Sequence, residues 1–151
     1  MSRAFVKEDD IGADVALPER PLGEARNFVT ARGLAQIDAG IARLSQALAT
    51  ETAENRPALA RDLRYWSARR ESAEVIAPPA DDASVRFASL VTLEYEDGTQ
   101  RRYRIVGIDE ADPQAGLLSH AAPLAAALLG RKAGESVTVA GKEAQIVVIA
   151  H

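Results

Sequence analysis

Apolar residues recur at Leu34, Ile37, Ile41, Leu44 and Leu48, at spacings of three and four. That is the seam of one coiled-coil helix. Thr30 stands where an N-cap belongs, and the pattern stops near Ala49-Thr50. The polar stretch "TETAENRP" then predicts a turn, with Pro57 at a first-turn position. Leu59, Leu63, Trp66, Ala73 and Ile76 continue the seam on a second helix, with Arg70 snorkelling at its edge. The expectation is an antiparallel helical hairpin over residues 29–77. "APPADD" (77–82) ends it and serves as a linker.

Beyond the linker the period changes to two. Val85, Phe87, Val91, Leu93 and Tyr95 alternate with Arg86, Thr92, Glu94 and Glu96, and Asp97-Gly98 signals a hairpin turn. "QRRYRIVGI" reads as the return strand and "LLS" as a short one. Pro123–Leu129 reads as a short helix closed by Gly130, and "ESVTV" and "EAQIVVIA" as two more strands. The fold class is therefore α+β: a helical hairpin, then an antiparallel β domain with one short helix over 83–151. The break in period, with prolines between, predicts that the halves fold as separate units. Residues 1–28 carry Pro18, Pro21 and mixed charge, and read as a flexible arm with Phe5-Val6 as a candidate docking peptide.

Composition narrows the function. The chain has 151 residues, 47% of them hydrophobic, which supports a packed core. Aromatics are only 5%, so thin side chains suited to helix packing dominate. A net charge of −4 argues against binding nucleic acid through its phosphates. Cysteine is absent, which removes disulfides and thiolate metal sites. No apolar leader or membrane-length run occurs, and the expectation is a soluble, cytoplasmic monomer. The two histidines, His120 and His151, make no nucleophilic triad, and "GRKAGES" lacks the spacing of a phosphate loop. Arg61, Arg64, Arg69 and Arg70, interspersed with acids, read as a solvated face. Arg101, Arg102 and Arg104 read as cross-strand partners of Glu94 and Glu96. Glu51 and Glu54, at the hairpin turn, are the remaining pair with chemistry. Two carboxylates there suit a shared Mg²⁺, which takes one or two carboxylates and fills its shell with water or substrate oxygens.

Several stretches, in order, resemble the GreA/GreB family of transcript-cleavage factors: "NFVTARGLAQI", "RDLRYWSARRESAEVI", "DGTQRRYRIVGIDEAD" and, most specifically, "LLSHAAPLAAALLGRKAGESVTV". The likeness runs over roughly residues 27–149. It implies an FKBP-like C-terminal domain that binds RNA polymerase beside its secondary channel, with the hairpin pointing inward. It implies Ser119, Pro123 and Leu124 as polymerase-binding residues. The family's tip pattern, Asp-x-x-Glu-Asn, completes a magnesium site in the polymerase. Glu51-Thr-Ala-Glu54-Asn55 matches it with Glu for Asp, so any metal is shared with the partner and the protein has no cofactor of its own. The resemblance implies no direct sequence-specific contact with nucleic acid and no membrane.

Three departures bear on activity. Thr30 to Glu51 and Glu54 to Val75 are 21 steps each. At 1.5 Å per residue that is ~30 Å, against ~45 Å for family helices of about 30 residues. Pro57 follows the turn at once, so "ENRPAL" also aligns within the family's first helix, with the tip deleted. Ala121-Ala122 stand where the family often has two polar residues. The expectation is a non-enzymatic elongation regulator that binds polymerase and stimulates cleavage weakly or not at all. An active cleavage factor and an Rnk-type regulator of nucleoside diphosphate kinase stay open. Prolyl isomerisation is disfavoured, because Phe87, Tyr95 and Tyr103 are few aromatics for such a pocket.

Overall fold

The structure is a computed structural model that describes residues 17–80 and 83–151. The Phe5-Val6 peptide and most of the expected arm lie outside the described residues, as do Asp81 and Asp82 of the linker. Helix α1 spans Ala31–Thr50 and α2 spans Arg56–Ser72. Thr30 is the N-cap, its Oγ1 accepting from the Gly33 N–H at 2.9 Å. Ile37 is buried in the seam, while Leu34, Ile41, Leu44, Leu48, Leu59, Leu63 and Trp66 are half-buried. The exposed Arg70 spans the two helices to Asp38 at 2.6 Å.

The second helix stops four residues before Ile76. The cause is a pair of two-residue strands, β1 (Phe28–Val29) and β2 (Glu74–Val75), that run parallel. The Glu74 N–H bonds the Asn27 carbonyl at 2.9 Å, and the Ile76 N–H bonds the Val29 carbonyl at 3.0 Å. These carbonyls compete with the helix for the same donors. Ala73 and Ile76 therefore leave the seam.

Five strands follow: β3 (Leu90–Tyr95), β4 (Gln100–Val106), β5 (Leu117–Ser119), β6 (Ser136–Val139) and β7 (Lys142–Ala150). Their order is β5-β4-β3-β7-β6. The sheet is not wholly antiparallel as expected, since β5 pairs parallel with β4. Two 3-10 turns, Ile108–Glu110 and Pro113–Ala115, carry the chain between them. Val85 and Phe87 also depart from the expected strand. Ala88 takes φ +71 and turns the chain before the ladder begins. Val85 instead bonds Arg131 and Gly130.

Helix α3, Pro123–Leu128, packs Ala125 and Leu128 into the core. Gly130 follows it at φ +83, the left-handed position that ends a helix. The core gathers Val85, Val91, Leu93, Ile105, Leu118, Val137, Ala144 and Ile146 around those two residues. Among the described residues, the register does not set the arginines of β4 opposite the glutamates of β3. The register sets Arg101 opposite Leu93 and Arg102 opposite Thr92, while Gln100 faces Glu94 and donates to it at 2.8 Å. Among the described residues, no helix is long and apolar enough to cross a membrane.

Gly107 joins the two parts of the molecule. A Cβ there would lie 2.5 Å from the Phe28 carbonyl oxygen, so only glycine lets β1 approach the 3-10 turn. Gly107→Ala is expected to cost about 1–3 kcal/mol through overpacking. A urea titration of both proteins checks it, with a lower midpoint for the variant.

Candidate functional site

Three places hold the polar groups to be weighed: the hairpin tip, the loop before α3, and the junction between hairpin and sheet.

At the tip, Glu51 is the C-cap of α1. Its Oε1 accepts from the Thr52 N–H at 3.2 Å and from Asn55 Nδ2 at 3.0 Å. Those bonds, Asn55's first, hold the Glu51 carboxyl below its ordinary pKa. Glu54 is exposed. Arg56 caps the end of α1 by donating to the Leu48 carbonyl. The tip thus presents two glutamate side chains, of which Glu51 already serves the turn. Among the described residues, no cluster of three His, Cys, Asp or Glu side chains could hold a metal. The pair suits a metal only where a partner brings the remaining ligands.

In the loop before α3, Ser119 Oγ accepts from the Ala121 N–H at 3.1 Å, and the Ser119 carbonyl accepts from the Ala122 N–H at 3.0 Å. Pro123 is exposed at the head of α3, and Leu124 is half-buried against the core. Ser119, Pro123 and Leu124 therefore lie on one short rigid turn. Its shape is set by Ser119, and its base by Ala125 and Leu128. The tip and this turn are separate, with the junction between them.

The junction was not legible as a site. Arg69 is 3% exposed. Its Nε donates to Asp109 Oδ2 at 2.6 Å, its Nη2 to Asn27 Oδ1 at 2.7 Å, and its Nη1 to the Leu22 carbonyl at 3.3 Å. The Tyr65 hydroxyl donates to Asp109 Oδ1. Burial, and then the Asp109 carboxylate, push the Tyr65 phenol up to about 12. Glu110, also buried, accepts from Thr30 Oγ1 at 2.6 Å and faces the first turn of α1. A Cβ at Gly33 would lie 2.7 Å from its Oε2. Phe28, Phe87 and His120 stack beside it, with ring centroids 5.2–5.9 Å apart. So Arg69 is no part of a solvated face. The signal lay in the spacing of Asp62, Tyr65, Arg69 and Ser72, a polar stripe at helical period, and in the adjacent acids Asp109-Glu110.

Comparison with known proteins fits the loop and the sheet. Residues 80–150 match the family model "Transcription elongation factor, GreA/GreB, C-term". Transcription elongation factor GreB of Pseudomonas aeruginosa is 43% identical over 90 residues, which is 57% of this chain and 54% of that protein. GreA of Paracoccus denitrificans is 43% identical over 84 residues, 52% of this chain and 54% of that one. The chain spans about half the length of the curated relatives it matches. Among solved structures, GreA factor homolog 1 of Thermus thermophilus aligns at 20% identity and a TM-score of 0.42, over 84% of this chain and all of that one. Residues 80–150 thus carry the C-terminal domain of the GreA/GreB family.

Two predictions follow from the junction. Asp109→Ala leaves the Arg69 guanidinium buried without its anion, which should cost about 3–5 kcal/mol; equilibrium unfolding in urea measures it. His120 supplies a pH dependence. Burial lowers its pKa, the nearby Arg69 charge lowers it further, and a hydrogen bond to the Arg26 backbone opposes both. Its Nε2 is buried without a hydrogen bond to any described residue. With the folded value below the unfolded one, stability is full above pH ~6.5 and falls as acidification passes through the folded value. His120→Phe should lose less stability than the natural protein between pH ~7 and pH ~5, as followed by thermal melts.

Proposed function

We propose that this protein is a non-enzymatic regulator of transcription elongation that binds RNA polymerase beside its secondary channel. The observation that carries the reading is the match of residues 80–150 to the GreA/GreB C-terminal domain. The turn at Ser119, Pro123 and Leu124 sits within it, with Pro123 exposed at the head of α3. On this reading the sheet with its single helix is the FKBP-like domain of the family, the turn meets the polymerase, and the hairpin enters the channel.

The hairpin is short. Helix α1 has 20 residues and α2 has 17. At 1.5 Å per residue these span ~30 Å and ~26 Å, about 15 Å less than a family helix of about 30 residues. A glutamate in place of aspartate adds roughly one ångström of reach on ordinary bond lengths. Mg²⁺ needs its oxygens at about 2.1 Å, so a gap of three helical turns removes the metal role. Glu51 and Glu54 then act as turn residues that occupy the channel without completing its magnesium site.

The test joins a polymerase pull-down to RNA cleavage by backtracked complexes. The natural protein should be retained by polymerase and add no cleavage beyond polymerase alone. Pro123→Glu, a change at an exposed position, should weaken retention at least about tenfold, a loss of 1.4 kcal/mol. Equal retention of both proteins would remove the docking assignment. Strong cleavage that the Glu51→Ala/Glu54→Ala double variant loses would make the protein an active cleavage factor instead.

A further inference from the structure

The segment before β1 lies along α2 rather than standing free. Glu19 pairs with Arg64 at 2.6 Å, Arg20 with Asp62 at 3.4 Å, and Arg26 with Glu74 at 2.6 Å. The Leu22 carbonyl accepts from Arg69. Asn27 Nδ2 donates to the Arg69 carbonyl at 2.8 Å and to Ser72 Oγ at 3.0 Å. Glu19 and Arg20 meet positions 62–66, Leu22 meets Arg69, and Arg26 and Asn27 meet positions 69–74, so the segment runs broadly parallel to the helix. Its partners include all four residues of the polar stripe Asp62, Tyr65, Arg69 and Ser72. This part of the chain precedes the matched region entirely.

Arg20 is the central contact. Its guanidinium carbon lies 3.9 Å from the centroid of the Tyr65 ring and 5.6 Å from that of Trp66. The hydroxyl of that same tyrosine donates to Asp109. One side chain of the segment therefore grips the face of a ring whose edge holds the C-terminal domain. Two residues on, the Leu22 carbonyl supplies one of the acceptors of buried Arg69, whose Nε holds the other oxygen of Asp109. Both oxygens of the carboxylate on which the hairpin is hung are thus reached through groups that the segment touches.

We propose that residues 17–26 form a strap that fixes the tilt of the helical hairpin on the C-terminal domain, with Arg20 as its positioning residue acting through Tyr65. The ion pairs Glu19–Arg64 and Arg26–Glu74 are exposed and contribute little energy, so they guide the strap rather than hold it. The holding contacts are the cation on the Tyr65 ring and the carbonyl on Arg69. Without the strap, Arg69 loses an acceptor and Tyr65 loses the group that fixes its ring plane. The Asp109 contacts then persist in more than one geometry. The strap is a property of the free protein, so its failure and the failure of polymerase binding are separate results.

The chain has no cysteine, so Ala53→Cys at the tip and Thr138→Cys on β6 give a unique pair for spin labels. The distance distribution between them reads the tilt. The labelled protein, otherwise natural, should show one narrow peak. Adding Arg20→Ala should broaden it at least about twofold, while adding Glu24→Ala, on the same segment, should leave it unchanged. Arg20→Lys keeps the charge beside Asp62 but loses the planar group that stacks, and should broaden it in part. A second measurement uses the unlabelled full chain. Amide exchange in Arg20→Ala should rise about tenfold at 65–69 and 107–110, the loss of roughly one cation–ring contact. Exchange in β3 should stay as it was. A narrow, unshifted peak in Arg20→Ala, or faster exchange confined to residues 17–26, would overturn the strap and leave the segment a passive tail.

Discussion

The buried Arg69–Asp109 pair is the interaction on which the arrangement of this molecule depends. Taking both charges out of water is expensive, and attraction between them offsets that only where the remaining donors and acceptors are also satisfied. Here they are. Tyr65 fills the second carboxylate oxygen, while Asn27 and the Leu22 carbonyl take the remaining guanidinium nitrogens. The five groups come from four parts of the chain: the N-terminal segment, the approach to β1, α2 and the first 3-10 turn. The hairpin cannot be moved relative to the sheet without unpairing at least one of them. A buried, geometrically demanding pair gives the hairpin a fixed direction on the sheet, because its hydrogen bonds are satisfied in one geometry.

Helix α1 shows the same dependence at its ends. It has no acidic residue in its first turn and no basic residue in its last. Its dipole is therefore uncompensated by its own side chains. Both charges come from elsewhere: Glu110, from the C-terminal domain, lies at its N-terminus, and Arg56, from α2, donates to a carbonyl at its C-terminus. Gly33 makes room for the first of these. The helix is thus most stable when the domain is docked and the turn is closed, which ties secondary structure to tertiary structure at both ends.

The turn before α3 is built differently. Ser119 folds it through two bonds within three residues, and α3 supports it through Ala125 and Leu128. Its link to the junction is His120, whose ring packs against Phe28. The turn lies wholly within the matched region, residues 80–150, while the hairpin precedes it.

What the sequence determined by itself was local. The heptad spacing from Leu34 to Leu48 placed α1 within a residue of its ends, Thr30 was legible as its cap, and Asp97-Gly98 marked the turn between β3 and β4. Those features depend on side-chain period and backbone preference, both of which act over a few residues. The stretch from Ser119 to Gly134 was legible through its resemblance to the GreA/GreB family. The rest was decided by contacts distant in sequence. Strands β1 and β2, 46 positions apart in register, are too short to have a period. The parallel pairing of β5 depends on where the 3-10 turns carry the chain. Ala88 gave no sign of a left-handed turn, because alanine seldom adopts one. Arg69 was read as solvated because charge on a helix usually is. Only the fold, by bringing Asp109 to it across 40 residues, made burial cheaper than exposure.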